Sequence, residues 1–475
     1  MTKGQIPISI LATTITASFG FGLIQLDVTI VNVALPTIAK TLNTTVADLQ
    51  WVVDAYALAF AALLLTGGYL GDRFGAKRCY LAGIALFAIT SVVCGVAPST
   101  PLLIGGRMFQ GAGAALMLPC SLALINHAAE GQPQRRAQAI GWWTAAGSIM
   151  IAAGPIIGGL LIGITSWRSI FLVNLPVCAV GMLLTLKVEE TKRLPNGRGI
   201  DIIGQLLGIV ALGTITGAMI EAKPLGLESP VVLACTITGI IATVAFVRHE
   251  AHSPTPMVPL SLFGSRAFCG AVIFGAIANL TYYGAVFVLS LYLQRALGYS
   301  PVSAGLAFLP LTATLLFVNI ISGWWTGTRG SRAPMIAGAL IDASGFAILA
   351  FVATTTTPYW HLAIAFVLIP GGMGLGVPAM TTAVLASIGR EHSGIASAVL
   401  NAARQAAGAM GVALFGTLAG DGPRSIVTGL RMSAMIAAGL LIVAAAVAAT
   451  TIARLQRDSS MTSSKQTSSK QAGRL

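Results

Sequence analysis

Residues 48–97 read DLQWVVDAYALAFAALLLTGGYLGDRFGAKRCYLAGIALFAITSVVCGVA. Two apolar runs, 48–70 and 77–97, flank a short gap that holds Asp72, Arg73, Lys77 and Arg78. A bilayer core of about 30 Å takes roughly 20 apolar residues of helix, so each run is long enough to cross it. The alternation continues in both directions. Apolar spans fall at about 7–35, 48–70, 77–97, 101–127, 135–163, 167–186, 201–219, 230–248, 267–296, 302–325, 333–353, 359–386, 394–418 and 430–453. Of 475 residues, 55% are apolar and only 9% charged, which excludes a water-soluble fold. The expectation is an all-α polytopic membrane protein with fourteen transmembrane helices.

The net charge of +13 raises nucleic acid as a partner, but the location of the charges argues against it. With the amino terminus in the cytoplasm, twenty of the 28 Lys and Arg fall in cytoplasmic gaps. Six fall outside (Lys40, Arg168, Lys223, Arg295, Arg424, Arg431), and Arg107 and Arg404 lie within spans. That asymmetry is the positive-inside rule, so the basicity sets topology. It implies a multi-pass protein of the cytoplasmic (inner) cell membrane with both termini cytoplasmic. Trp51, Trp167, Trp360 and the pair Trp324–Trp325 sit near span ends, where amphipathic rings favour the interface, whereas Trp142 and Trp143 lie deeper. The first apolar run is too long for a signal-peptide core and continues through Asp27 without a small-residue cleavage site. The six cysteines and five histidines lack ligand spacing, so no metal site is expected. Neither a nucleotide-binding loop nor a nucleophile constellation points to an enzyme.

The longest cytoplasmic gaps, 187–200 and 249–266, bracket two spans between two blocks of six. Gly68-Tyr69-Leu70 and Gly75 align on Gly323-Trp324-Trp325 and Gly330, and Ala153-Gly154 aligns on Ala407-Gly408 at almost the same offset. A repeated six-helix unit follows. The expected division is 1–190, an amino-terminal six-helix bundle; 191–266, two inserted helices with flanking loops; 267–454, a carboxy-terminal six-helix bundle; and 455–475, a Ser/Thr/Lys/Gln-rich, disordered cytoplasmic tail.

Charge inside a bilayer is costly and needs a reason. Asp27, Asp54 and Arg107 all fall about 9–12 Å below the outer boundary at 1.5 Å per residue, a depth that permits one buried network. Burial raises a carboxyl pKa and a neighbouring guanidinium lowers it, an opposition suited to a group that binds and loses a proton. A static ion pair fixing helix packing is the competing reading of Asp27, and for Asp54 the two readings stand level. Gly68, Gly71, Asp72, Arg73, Gly75, Lys77 and Arg78 form a cytoplasmic loop dense in glycine and charge, in which Asp72 can hold a neighbouring helix in one state and release it in another. In the fifth span, Gly154 and Gly158 share a face, Pro155 removes a backbone donor and favours a kink, and Gly159 adds a second small residue. Tyr282, Tyr283 and Phe287 are candidates to line an apolar cavity, with lipid contact as the alternative. Arg404-Gln405 and Asp342 lie near the midplane as either substrate or packing residues.

At these residues the chain resembles the fourteen-helix drug:proton antiporter family of the major facilitator superfamily, along all but its tail. The segment 68–78 is similar to the superfamily's loop between helices 2 and 3, with Ala76 where a basic residue is common. Arg107 with Gln110-Gly111-Ala112-Gly113 is similar to the helix-4 motif tied to proton coupling, and Gly154-Pro155 with Gly158-Gly159 to the antiporter motif of helix 5. Residues 26–36, 51–56 and 167–176 add matches to the fourteen-helix branch. The resemblance implies two six-helix halves with two inserted central helices, and a monomer that exports lipophilic drugs or antibiotics by alternating-access antiport. Protons would supply the energy, with no cofactor. It implies proton-coupling roles for Asp27, Arg107 and Asp54 and gating roles for the glycine loop and the helix-5 motif; the residues themselves offer Gln110, Tyr282, Tyr283, Phe287 and Arg404 as candidates for the cavity. Spans 9, 10, 12 and 13 carry no acidic residue, which favours neutral, monocationic or weakly anionic substrates over dications. A dedicated metabolite or siderophore exporter would carry the same motifs. A proton-coupled uptake symporter would share the loop but is disfavoured by Gly154-Pro155.

Overall fold

A computed structural model describes residues 8–191, 201–388, 393–420 and 422–453. The expected tail at 455–475 and most of the link before the inserted helices lie outside the described residues. The chain forms α1 (Ile8–Leu42), α2 (Val46–Phe74), α3 (Ala76–Val96), α4 (Thr100–Ala128), α5 (Pro133–Ile164) and α6 (Ser169–Leu186). Next come α7 (Ile202–Leu225) and α8 (Pro230–His252). The last six are α9 (Arg266–Ala296), α10 (Pro301–Arg329), α11 (Arg332–Val352), α12 (Tyr359–Ser387), α13 (Ser393–Ala419) and α14 (Pro423–Thr451). Among the described residues, 13 helices are long and apolar enough to cross a membrane. The other, α13, has 27 residues but carries Asn401, Arg404 and Gln405, which lower its apolarity. It packs against α2, α7, α9 and α14, so protein rather than lipid surrounds much of it.

Fourteen crossings bring Ile8 and Thr451 to one end of the bundle, here the near end; the opposite end is the far end. Two boundaries differ from expectation for identifiable reasons. The first is α1, which continues past residue 35, through Pro36, to Leu42. Proline has no N–H, so the carbonyl four residues earlier loses its helical donor. That carbonyl belongs to Asn32, and the Ser290 hydroxyl of α9 donates to it instead, while the Gln294 amide donates to the Val33 carbonyl at 2.9 Å. The helix stops where Asn43 takes φ +50° and Thr45 caps α2 in a reciprocal box with Asp48.

The second is the expected loop at 68–78, which is almost wholly helical. Only Gly75, at φ +100°, separates α2 from α3, and Gly330, at φ +77°, links α10 to α11 in the same manner. A side chain at either position would be strained. The first turn of α3 is then held by residues that follow α6. Glu190 accepts from the amides of Lys77 (2.8 Å) and Arg78 (3.2 Å), and the Ala76 amide donates to the Thr191 hydroxyl (2.9 Å). The Lys77 ammonium donates to the Leu186 carbonyl at 2.9 Å, and the Arg78 guanidinium stands 3.8 Å from Glu190. A carboxylate on unpaired amides at a helix start is worth about 1 kcal/mol. Glu190→Ala is therefore expected to lower stability by about that amount, seen as a reduced melting temperature of the purified protein.

Helices α1–α6 pack chiefly through the pairs α1/α5, α2/α4 and α3/α4, and α9–α14 through α9/α13, α11/α12, α11/α14 and α10/α12. The two sets meet at α2/α13, α5/α10 and α1/α9. Gln50 of α2 donates to the carbonyls of Val412 (3.2 Å) and Ala413 (2.6 Å), and Ser290 and Gln294 reach α1 as above. All four bonds lie toward the far end. There too, Gly159 abuts the Pro301 carbonyl, and Gly305 abuts the Pro155 carbonyl, so α5 and α10 cross with backbones touching. Toward the near end the same two helices present Trp142, Ile149, Phe317, Ile320 and Trp324 as exposed side chains. The bundle is closed at the far end.

Candidate transport site

Arg107 reaches from α4 into the middle of α1–α6, where it is 1% exposed. Its Nη1 donates to Asp27 Oδ2 at 2.5 Å and to Gln110 Oε1 at 2.7 Å, and its Nε donates to the Val52 carbonyl at 3.2 Å. The other carboxylate oxygen, Asp27 Oδ1, accepts from Gln110 Nε2 (3.2 Å) and from Asn174 Nδ2 (3.1 Å). Ser91 Oγ accepts from both amides, at 2.8 and 3.3 Å. The Tyr56 ring lies 4.3 Å from the guanidinium carbon and the Phe171 ring 5.9 Å. Five helices thus supply one hydrogen-bonded cluster: Asp27 from α1, Val52 from α2, Ser91 from α3, Arg107 and Gln110 from α4, and Asn174 from α6, with the Tyr56 ring of α2 against the guanidinium. Its charges are matched, which is what makes burial of both tolerable.

Asp54 belongs to a different surface. It is fully buried, yet both carboxylate oxygens lack a hydrogen-bond partner among the described residues. It lines a narrow cleft of about 30 Å³ with Val28, Val53, Tyr56 and Arg107 on one side and Tyr283, Gln405 and Gly408 on the other. A second cavity of about 20 Å³ lies between Thr29, Asn32 and Pro155 and the residues Tyr282, Tyr283, Phe308 and Thr312. Tyr283 borders both. Volumes of this order hold about one or two water molecules each, so a drug-sized occupant enters only when the two helix sets part. Both cavities lie between α1–α6 and α9–α14, so an occupant touches the two sets at once.

The remaining candidates distribute as follows. Tyr282 and Tyr283 line the cavities, but Phe287 is fully buried in the core and lines neither. Gln110 is committed to the Asp27 cluster. Arg404 lines neither cavity; its Nη1 donates to Asn401 at 3.4 Å, and it is Gln405 that faces the cleft. Asp342 is buried in α11 against Gly372, with Oδ1 unpartnered. Gly154 and Gly158 face Thr29 and Ile30 of α1, Gly159 faces α10, and α5 runs unbroken through Pro155. Gly68 and Gly71 lie against Pro119 and Cys120 of α4. Arg73 donates to the Tyr69 hydroxyl at 2.9 Å, while Asp72 is exposed, without a hydrogen bond or ion pair among the described residues. Ser91 and Asn174 complete the cluster without having been singled out as site residues. The sequence signal for Asn174 is its place in the 167–176 segment, while Ser91 beside Thr90 carries no distinguishing mark.

Two sets of six helices with an added pair, meeting around a central cleft beside a buried acid–base cluster, form an architecture that suits a secondary transporter. The Major Facilitator Superfamily model matches residues 17–412, and the chain belongs to that family. It is 38% identical over 410 residues to the methylenomycin A resistance protein of Bacillus subtilis, covering 86% of this chain and 87% of that protein. It is 35% identical over 413 residues to the multidrug resistance protein Stp of Mycobacterium tuberculosis, covering 86% and 75%. Among solved structures, the D-xylose-proton symporter superposes with TM-score 0.67 at 16% identity, over 94% of this chain and 99% of that one, a likeness of fold. The resemblance drawn from the motifs holds, and the protein is a multi-pass membrane transporter of the drug-efflux kind.

Proposed function

We propose that the protein exports lipophilic drugs or antibiotics from the cytoplasm in exchange for protons, as a monomer in the cytoplasmic membrane with both termini inside. The single observation that carries the coupling is the buried Asp27–Arg107 pair, 2.5 Å apart beside a cleft between the two helix sets. The resistance proteins named above support the cargo. In this reading the far end is the outside and the closed far end marks an inward-facing state. Residues 1–190 and 267–454 rock against each other, and 191–266 forms an added helix pair. A proton arriving from outside neutralises Asp27 and loosens its hold on Arg107. Rocking then exposes the cleft inward, where the proton leaves as cargo binds. Asp72, exposed in this state, is the group that would close the near end in the other. One charge moving through 100 mV supplies about 2.3 kcal/mol, enough to hold a large gradient without a cofactor.

The test is proton movement in inside-out vesicles carrying an acid lumen. Adding a transported compound is expected to release luminal protons with the wild type and not with Asp27→Asn. Full proton release by a folded Asp27→Asn would remove Asp27 from the mechanism. A response to one compound out of a broad panel would favour a dedicated exporter, the reading that the single-antibiotic name of the Bacillus relative supports. Luminal proton uptake on adding cargo would instead mean symport.

A further inference from the structure

The near end of the inserted helix pair holds two acids away from water. Asp201, which caps α7, is 8% exposed, and Glu250, in the last turn of α8, is 3% exposed. Each carboxyl group uses one oxygen to hold backbone. Asp201 Oδ1 accepts from the Gly204 amide at 2.8 Å and lies 2.7 Å from His249 Nε2. Glu250 Oε2 accepts from the Val258 amide at 2.9 Å, in the linker that leads to α9. The other two oxygens, Asp201 Oδ2 and Glu250 Oε1, lack a hydrogen-bond partner among the described residues. They converge over Gly204, where a Cβ would stand 2.8 Å from Glu250 Oε1 and 2.9 Å from Asp201 Oδ2.

Two buried acceptors without a donor are costly, and a proton on either one makes a donor–acceptor pair of both. Two carboxylates packed together away from water cannot both ionise cheaply, so they hold one proton between them. The charged groups that act on Glu250 are Asp201 of α7 and His249 of its own helix. Gln205, one turn beyond Asp201, meets α2 through Thr66 and the Ala62 carbonyl, neither of which titrates. We propose that Asp201 and Glu250 share one proton and form a proton-binding site, apart from the Asp27 cluster, that fastens the inserted pair to the carboxy-terminal set. The fastening runs through the linker, whose Val258 and Leu262 pack on the near-end core of α9–α14. When the proton leaves, the facing oxygens repel. Asp201 stays, held by its cap and by His249, so Glu250 moves and releases the Val258 amide. The clasp is closed at low pH and lost as pH rises.

The test is hydrogen exchange by mass spectrometry on the purified full-length protein, followed from about pH 5 to about pH 9 on the peptide around Val258 and corrected for intrinsic exchange. Pro254, Pro256 and Pro259 carry no amide hydrogen, so few other groups obscure the signal. The wild type is expected to exchange about tenfold faster at the alkaline end. Glu250→Gln should stay protected throughout, because its carboxamide keeps the Val258 bond and donates to Asp201 as the proton did. His249→Gln should retain the step. The proposal is overturned if the wild type shows no step, if Glu250→Gln keeps it, or if His249→Gln abolishes it, which would make the histidine the sensor. Should Glu250→Gln fail to fold, Asp201→Asn offers a carboxamide donor from the other side and is expected to remove the step; a step that survives there overturns the proposal as well. None of these outcomes depends on the direction or the cargo of transport.

Discussion

In Arg107→Leu, transport is expected to fall below detection and stability to drop by about 3–5 kcal/mol, the cost of leaving a buried ion without its partner. The geometry makes this the most damaging single change in the amino-terminal set. Arg107 is 1% exposed, holds Asp27 at 2.5 Å, and also engages Gln110 and the Val52 carbonyl. Stability and function then separate in the double variant Asp27→Leu/Arg107→Met. Replacing both ions with apolar groups of similar volume removes the uncompensated charge, and buried pairs treated in this way regain stability. Gln110 and Asn174 keep Ser91 as an acceptor, so their amides are not stranded. Thermal unfolding of the purified double variant should recover most of the loss, while vesicle transport stays at zero. Recovery of transport along with stability would reduce the pair to a packing device.

Gly305→Val is expected to abolish transport by holding the far end open. A Cβ at Gly305 would run into the Pro155 carbonyl, and backbone cannot turn aside as a side chain can. The neighbouring contact of Gly159 with the Pro301 carbonyl leaves no slack for α10 to slide. The helices must separate, and with them goes the closure shared by Gln50, Ser290 and Gln294. The measurement is labelling by a membrane-impermeant thiol reagent of a cysteine placed at Thr312, on the wall of the cavity behind the crossing. Labelling from outside should rise several-fold in Gly305→Val and also in Gly305→Ala, since the clash begins at Cβ. Unchanged labelling in Gly305→Val would mean that closure does not depend on this crossing.

The helical crossings and the depth of the charged residues were legible in the sequence, because both follow from counting residues along an axis. Asp27 and Arg107 at equal depth do meet. Asp54, at the same depth, does not join them, because depth leaves open which way a helix face points, and facing depends on neighbours far away in the chain. The same limit separates Tyr283, which borders both cavities, from Phe287 one turn later in the core. Glu190 clasping α3 was invisible for a related reason: its partners lie more than a hundred residues away, and an acid after a span resembles any loop charge. Asn174 and Ser91 needed the assembled bundle to reveal what they hold.

Helix α7 has a consequence for how such transporters can be recombined. Gln205 near one end of α7 donates to the Ala62 carbonyl of α2 at 2.9 Å and accepts from Thr66, and Glu221 near the other end accepts from Trp51 at 3.1 Å. Helix α7 also packs on α13, where Thr417 donates to the Met219 carbonyl at 2.9 Å. A chimera that takes α2 from one parent and α7 from another breaks matched pairs at both ends of α7. A crossover placed after α7 keeps them together. Segments 46–225 therefore form a block of inheritance, and viable hybrids between divergent relatives should have their breakpoints outside it.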